Sequence, residues 1–206
     1  EGRQEAPLRP ALYDGVEMAD PRVLVLHTGG TIGMVETERG FAPDRDALPA
    51  LVERLPQLHE AGMPRFSTPA FRSGKRVRYE IAQYDPLLDS ANVDLSHWAR
   101  FASDLGARMD EFDGFVVLHG TDTMAYTASA LSFMLENLSK TVILTGSQIP
   151  LGVARNDAID NLLGALTIAG QFEIPEVCLY FRNKLLRGNR SQKVDATPVW
   201  FMRQAG

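Results

Sequence analysis

Three short clusters of glycine and hydroxyl residues are the part of this sequence best suited to chemistry. They are Thr-Gly-Gly-Thr-Ile-Gly at residues 28–33, His-Gly-Thr-Asp-Thr at 119–123 and Thr-Gly-Ser-Gln-Ile-Pro at 145–150. Glycine lets a substrate approach the backbone closely, and a neighbouring threonine or serine hydroxyl can serve as a nucleophile. Backbone N–H groups at such turns can stabilise an oxyanion. The residue types therefore favour nucleophilic catalysis.

Each cluster taken singly is also compatible with a structural role. The first is neither a dinucleotide-binding fingerprint nor a Walker loop, because its glycine spacing differs and no lysine follows. Asp122 and Thr123 could cap the helix that follows them. His119 is either a general base or a structural histidine at a strand end, and its position favours the structural role. The sequence has no Cys/His grouping and no His-Glu-x-x-His motif, so we expect no metal site.

The segments around these clusters predict the fold. Each cluster follows an apolar segment typical of a buried strand, and helical periodicity separates the later strands. This alternation predicts an α/β fold, a mostly parallel sheet with helices on both faces. Ligands collect beyond the carboxyl ends of such strands, so the three clusters should meet at one sheet edge. Predicted strands are 22–27, 79–84, 114–118, 141–145 and 176–181, and predicted helices are 46–59, 94–112, 123–138 and 157–170.

Composition narrows the function classes. The 206 residues carry a net charge of −5, which argues against broad nucleic-acid binding. Cys178 is the one cysteine, so an intrachain disulfide is excluded, and its apolar neighbours predict burial. No apolar run approaches the roughly 20 residues that span a bilayer, so we expect no membrane partner. Residues 1–21 are polar and are expected to form a tail.

Taken together and in this order, the three clusters resemble the bacterial-type L-asparaginase family, above all its cytoplasmic type I branch, which includes animal members. The resemblance continues through Leu-Ser-Phe-Met-Leu-Glu-Asn at 131–137 and Leu-Arg-Gly-Asn-Arg at 186–190, and covers residues 22–196. It implies an amidohydrolase that converts L-asparagine to L-aspartate and ammonia without a metal or organic cofactor. It also implies a cytoplasmic location and a homo-oligomer in the full-length form.

The resemblance assigns catalytic roles to four residues. Thr31 is the implied nucleophile, which attacks the side-chain amide of asparagine, releases ammonia and leaves a β-aspartyl ester for water to cleave. Thr121, Asp122 and Lys193 are implied to support it. A threonine hydroxyl needs a base to take its proton, and a lysine can serve if burial lowers its pKa. Without the resemblance, Thr31 is typical of a turn and Lys193 of a solvated surface charge.

The resemblance also assigns substrate contacts. Asp122 would pair with the α-ammonium group and so select amino-acid amides over simple amides. Ser90 would hold the α-carboxylate, although a serine at this position is by itself typical of a turn. The backbone near Thr121 and Ser147 would position the scissile amide. The implied substrate-binding residues are Asp89, Ser90, Gly120, Thr121, Asp122 and Ser147.

Two departures from the family pattern leave alternatives open. Phe41 stands where many members carry a lid tyrosine, and phenylalanine can exclude water but cannot relay a proton. Residues 197–206 leave the pattern, and the family's smaller C-terminal domain is expected to be absent. One alternative is a non-catalytic truncated isoform or fragment that binds or regulates a full-length partner. Another, disfavoured by the acidic balance, is the asparaginase-like subunit of a tRNA-dependent amidotransferase.

Overall fold

A six-stranded sheet organises the structure, a computed structural model that describes residues 19–194 and 202–204. All neighbouring strands run parallel except the last pair, which is antiparallel. The predicted α/β class is confirmed. Across the sheet the strands are β4 (Arg78–Leu88), β1 (Arg22–Gly29), β5 (Gly114–Leu118), β6 (Thr141–Thr145), β7 (Val177–Phe181) and β8 (Lys184–Arg187).

Within the described residues, the two faces of the sheet are covered by the helices α1 (Ala47–Arg54), α2 (Leu95–Ala107), α3 (Met124–Met134) and α4 (Ala158–Gln171). Side chains alternate between the two faces along each strand, which creates a core on each face. Val116 of β5 packs on one face with residues of α1 and α4, whereas Phe115 and Val117 pack on the other with residues of α2 and α3. Every residue of β5, β6 and β7 is buried, as expected for parallel strands covered on both sides.

The predicted start of α2 is confirmed, but three predicted helix ends lie too far along the chain. The α1 helix ends at Arg54 instead of residue 59. Asp94 caps α2 by accepting hydrogen bonds from the backbone N–H groups of Ser96 and His97 at 2.9 and 3.2 Å. The α2 helix ends at Ala107 instead of near residue 112. The α3 helix ends at Met134 instead of residue 138, and Asn137 then takes a left-handed conformation (φ 52°) that turns the chain toward β6.

Short antiparallel strands that the periodicity did not predict flank the central sheet. Strands β2 (Met34–Thr37) and β3 (Gly40–Pro43) form a hairpin directly after the first cluster. Strand β9 (Ser191–Lys193) pairs with β10 (Met202–Gln204). The expected tail is outside the described residues up to residue 18, and so is most of segment 197–206. No helix within the described part of the chain is long and apolar enough to cross a membrane.

Candidate active site

The sheet brings the three clusters to one edge, as the sequence predicted. Residue His27 of β1 lies beside Leu118 of β5, and Leu118 lies beside Thr145 of β6. Hydrogen bonds continue this order beyond the strands. Thr28 Oγ1 donates to the Leu118 carbonyl at 2.8 Å, and the His119 N–H donates to the Thr145 carbonyl at 2.9 Å. Because the strand ends are in register, the turns that follow them begin side by side.

Glycine lets these turns touch. Gly30 has φ 89°, and a Cβ there would lie 2.6 Å from the backbone nitrogen of Gly120. A Cβ at Gly120 would in turn collide with Ser90 Oγ. The backbone before Thr31 therefore lies against the backbone before Thr121, and Ser90 lies against the same segment. Any side chain in these gaps would push the turns apart.

Thr121, Asp122 and Lys193 occupy one location, although Lys193 is far away in the sequence. Lys193 Nζ donates to Asp122 Oδ1 at 2.6 Å. The Lys193 side chain is 15% exposed, while Asp122 is 67% exposed, so the ammonium is sheltered and the carboxylate faces solvent. Strand β9 positions Lys193 next to α3, the helix that follows Thr121 and Asp122.

Thr121 has a neighbour that sequence reasoning missed. Gln148 Nε2 donates to Thr121 Oγ1 at 2.9 Å. The carboxylate of Asp157 holds the backbone of this loop by accepting from the N–H groups of Gln148 and Ile149 at 3.0 Å. Because the amide occupies an acceptor position of the Thr121 oxygen, the hydroxyl proton remains available for donation. The signal in the sequence was an amide residue inside the third cluster.

Thr31 is half-buried in a 3₁₀ turn, Thr31–Gly33, which packs over His27. A Cβ at Gly33 would lie 2.6 Å from His27 Cε1, so the imidazole supports this turn directly. His27 Nδ1 pairs with Gln83 Oε1 at 3.0 Å, and its Nε2 has no hydrogen-bond partner within the described part of the chain. Burial lowers the pKa of His27, which favours an uncharged ring beneath the Thr31–Gly33 turn.

The remaining expected substrate-binding residues reach the same edge in different ways. Ser90 is buried, and its carbonyl accepts from Thr123 Oγ1 at 2.8 Å. Asp89 is exposed, and its Oδ1 accepts from the Ala91 N–H at 3.0 Å and so caps a short turn. Ser147 Oγ donates to the Ile149 carbonyl at 2.7 Å. The hydroxyl of Ser147 therefore shapes its own loop, which leaves its backbone as the group suited to a ligand.

His119 has the environment of a structural histidine. It is 1% exposed, with Nδ1 2.7 Å from the Gly120 carbonyl oxygen and Nε2 3.0 Å from Thr127 Oγ1. Burial lowers the pKa of His119 to about 4. Both ring nitrogens are used within the fold, which favours the structural role over the general base.

Phe41 lies on β3, which contacts the 3₁₀ turn of Thr31. Its side chain is 49% exposed and borders a cavity of about 640 Å³ between the hairpin, α1 and the loop after Pro150. None of the predicted catalytic residues lines this cavity. Within the described residues, no three His, Cys, Asp or Glu side chains form a group that could hold a metal ion.

Comparison with known proteins places the chain in a family. The family model described as asparaginase, N-terminal, matches residues 22–204. L-asparaginase 1 of Escherichia coli (strain K12) is 48% identical over 179 residues, which cover 87% of this chain and 49% of that protein. The human 60 kDa lysophospholipase is 45% identical over 183 residues, which cover 85% of this chain and 32% of that protein.

A solved structure agrees with this placement. L-asparaginase I from Vibrio cholerae superposes with a TM-score of 0.77 at 43% identity, covering 90% of this chain and 52% of that one. The chain thus spans about half the length of the bacterial relatives it matches and about a third of the human one. The chain belongs to the asparaginase family and contains its N-terminal domain.

Proposed function

We propose that this chain carries the catalytic domain of an L-asparaginase, which hydrolyses L-asparagine to L-aspartate and ammonia. The observation that carries the proposal is the 2.6 Å contact between Lys193 Nζ and Asp122 Oδ1, located beside Thr121. The turn of Thr31 lies against the same segment through the contact of Gly30 with Gly120. A hydroxyl, an amine and a carboxylate at one edge are the groups that a nucleophilic amidase needs.

The proposed reaction has two halves. The Thr31 hydroxyl attacks the side-chain carbonyl carbon of asparagine, and the group formed by Thr121, Lys193 and Asp122 takes its proton. The C–N bond then breaks, the proton goes to the departing ammonia, and a β-aspartyl ester of Thr31 remains. Water attacks this ester in the second half, which releases aspartate and restores the hydroxyl. Dividing one difficult step into two easier ones is the advantage of a covalent intermediate.

The exposure of Asp122 supports a role in recognising the substrate. A carboxylate accepts several hydrogen bonds, so Asp122 can hold Lys193 and the substrate α-ammonium together. We assign the α-carboxylate to Ser90, whose side chain lies against Gly120. The backbone groups of Thr121 and Ser147 would position the scissile amide of the substrate.

We also propose a cytoplasmic homo-oligomer for the full-length protein. Tyr126 and Phe133 of α3 are 65% and 72% exposed and, seven residues apart, lie on one face of the helix. Large exposed apolar side chains at helical spacing are typical of protein interfaces. Sedimentation velocity tests this part, because a monomer at all concentrations would contradict it.

Ammonia release from L-asparagine tests the proposed activity. Thr31→Ala should lower kcat at least a thousandfold, since removing a nucleophile has such effects. Thr31→Ser should retain measurable turnover because it keeps a hydroxyl. A matched control is Thr37→Ala on the hairpin, which removes a hydroxyl that donates to the Gly40 carbonyl. We expect this control to behave as the unmodified chain.

Equal background release from the unmodified chain and Thr31→Ala would refute the catalytic proposal for this chain. Stable binding to a full-length family member would then favour the non-catalytic alternative. Ammonia release that requires a tRNA-dependent partner would favour the amidotransferase alternative. These experiments therefore distinguish the catalytic proposal from both alternatives.

A further inference from the structure

A chain of hydrogen bonds links helix α2 to the turn that precedes Thr121. Trp98 Nε1 donates to Thr127 Oγ1 at 2.9 Å. Thr127 Oγ1 lies 3.0 Å from His119 Nε2, and His119 Nδ1 lies 2.7 Å from the Gly120 carbonyl oxygen. Thr127 and His119 are buried, and this series of hydrogen bonds connects α2, α3 and the end of β5.

Both ends of this chain have a fixed polarity. The indole N–H of Trp98 can only donate, and the carbonyl of Gly120 can only accept. His119 must therefore carry its proton on Nδ1. An unprotonated Nδ1 would face the Gly120 carbonyl oxygen at 2.7 Å, and two acceptors at that distance would repel each other. In the neutral ring Nε2 is then an acceptor, and the Thr127 hydroxyl must donate to it. The direction of every bond from Trp98 to Gly120 is determined.

A second proton on the ring would disrupt this order. His119 Nε2–H would donate to a Thr127 oxygen that already accepts from Trp98, and the Thr127 hydroxyl proton would lose its acceptor. Phe101 of α2 also restricts the orientation of the imidazole, because the Phe101 and His119 rings pack in a T-shaped arrangement with centroids 6.1 Å apart. The imidazole has one orientation and one tautomer that satisfy all its neighbours.

We propose that Trp98 and Thr127 are positioning residues of the active site, which act through His119 on the Gly120–Thr121 peptide. This inference rests on the proposed function. The backbone of Gly120 contacts Gly30 at its nitrogen and Cα and lies against the Ser90 side chain, so a displacement at Gly120 reaches the turn of Thr31 and the proposed carboxylate site. Hydrogen bonds in a directional chain also polarise one another, which strengthens the bond to the Gly120 carbonyl.

Thr127→Val is the main test because it keeps the shape of the side chain and removes the donor to His119 Nε2. We expect kcat for asparagine hydrolysis to fall about tenfold, since displacements of about 1 Å can cost up to about a hundredfold. Thr127→Ser should restore at least half of the original kcat. Thr167→Val is the matched control, because Thr167 is a helical threonine whose hydroxyl donates to the Leu163 carbonyl on α4.

Imidazole and amide ¹⁵N NMR spectra provide readouts independent of turnover. The unmodified chain should show His119 as the Nδ1–H tautomer, and Thr127→Val should shift the Thr121 amide resonance. Thr167→Val should lower stability without moving that resonance. If Thr127→Val does not fold, Trp98→Phe serves instead, with an expected loss in kcat of about threefold and a smaller Thr121 shift.

The two proposals fail in different ways. A chain that releases no ammonia refutes the proposed function, and the tautomer and the Thr121 amide still test the hydrogen-bond chain. An Nε2–H tautomer in the unmodified chain would overturn the inference. So would a Thr127→Val chain with unchanged kcat or, if turnover is absent, with an unchanged Thr121 amide resonance.

Discussion

The buried imidazole of His119 should make the fold sensitive to mild acid. Burial lowers the pKa of His119 to about 4 in the folded chain, compared with an ordinary value of 6.5. Between these values the unfolded chain binds a proton at this position that the folded chain does not. The contribution of His119 to stability is therefore complete above about pH 6.5 and is lost as the pH falls toward 4.

The size of this effect follows from the two pKa values. One proton changes the free energy of unfolding by about 1.4 kcal/mol per pH unit across the interval in which only the unfolded chain binds it. From 6.5 to about 4, this amounts to about 3 kcal/mol. His119 is 1% exposed, so solvent screening does not reduce the figure. A loss of about 3 kcal/mol is a large fraction of the stability of an ordinary domain.

Urea denaturation at several pH values between 4 and 7 measures the effect. His119→Gln is the comparison, because glutamine keeps a hydrogen-bonding group and cannot be protonated. We expect the variant to be less stable at pH 7 and to lose less stability on acidification than the unmodified chain. Burial also lowers the pKa of His27, but this contribution is common to both proteins and cancels in the difference.

Two results would refute the reasoning. Parallel stability curves for the unmodified chain and His119→Gln would show that His119 does not resist protonation in the fold. An NMR titration of the His119 ring with a midpoint near 6.5 in the folded chain would do the same, and it needs no variant.

Three further substitutions test the local geometry. Asp94→Ala removes the cap of α2 and should lower the free energy of unfolding by about 1 kcal/mol, measured by urea denaturation. Gly30→Ala places a methyl group 2.6 Å from the Gly120 nitrogen and should lower kcat for ammonia release more than tenfold by separating the two turns. Gln148→Leu removes the donor to Thr121 Oγ1 and should lower kcat about tenfold, equivalent to the roughly 1.4 kcal/mol of one hydrogen bond.

Each of these three predictions can be contradicted by a specific result. An Asp94→Ala chain as stable as the original would show that the cap contributes nothing. Gly40→Ala is the control for Gly30→Ala, because Gly40 also has a positive φ (105°) but its Cβ would meet nothing within 4 Å. Equal kcat values for these two variants would count against the contact between turns. An unchanged kcat for Gln148→Leu would show that Gln148 does not contribute to the activity of the site.

Local patterns predicted the central elements well. Strands β5 and β6 begin and end at the predicted residues, because unbroken apolar runs between polar turns have few alternatives in a covered sheet. The hairpin of β2 and β3 was missed because its strands are short and mostly solvent-facing, so burial leaves no periodic signal. The α3 helix ends at Met134 because the backbone of Leu135 leaves the helical conformation, and the periodicity of apolar residues does not report this change.

The candidate site divides in the same way. The parallel topology alone implies that Thr31, Thr121 and Ser147 follow strands that end at one edge, and the strand pairing confirms this edge. The contact between Lys193 and Asp122 joins residues 71 positions apart and depends on where β9 lies against α3. No local sequence pattern could predict this contact, because the contact results from the packing of the whole chain.

The amino-acid sequence specifies which chemical groups are present, the class of fold and the edge of the sheet at which these groups collect. Residue types, apolar runs and glycine turns are local properties, and the parallel topology follows from their order. Which of these groups touch one another depends on the tertiary structure, which pairs Gln148 with Thr121, Trp98 with Thr127, and Thr127 with His119. Hydrogen bonds act over about 3 Å, so their partners depend on side-chain packing that secondary structure alone does not specify.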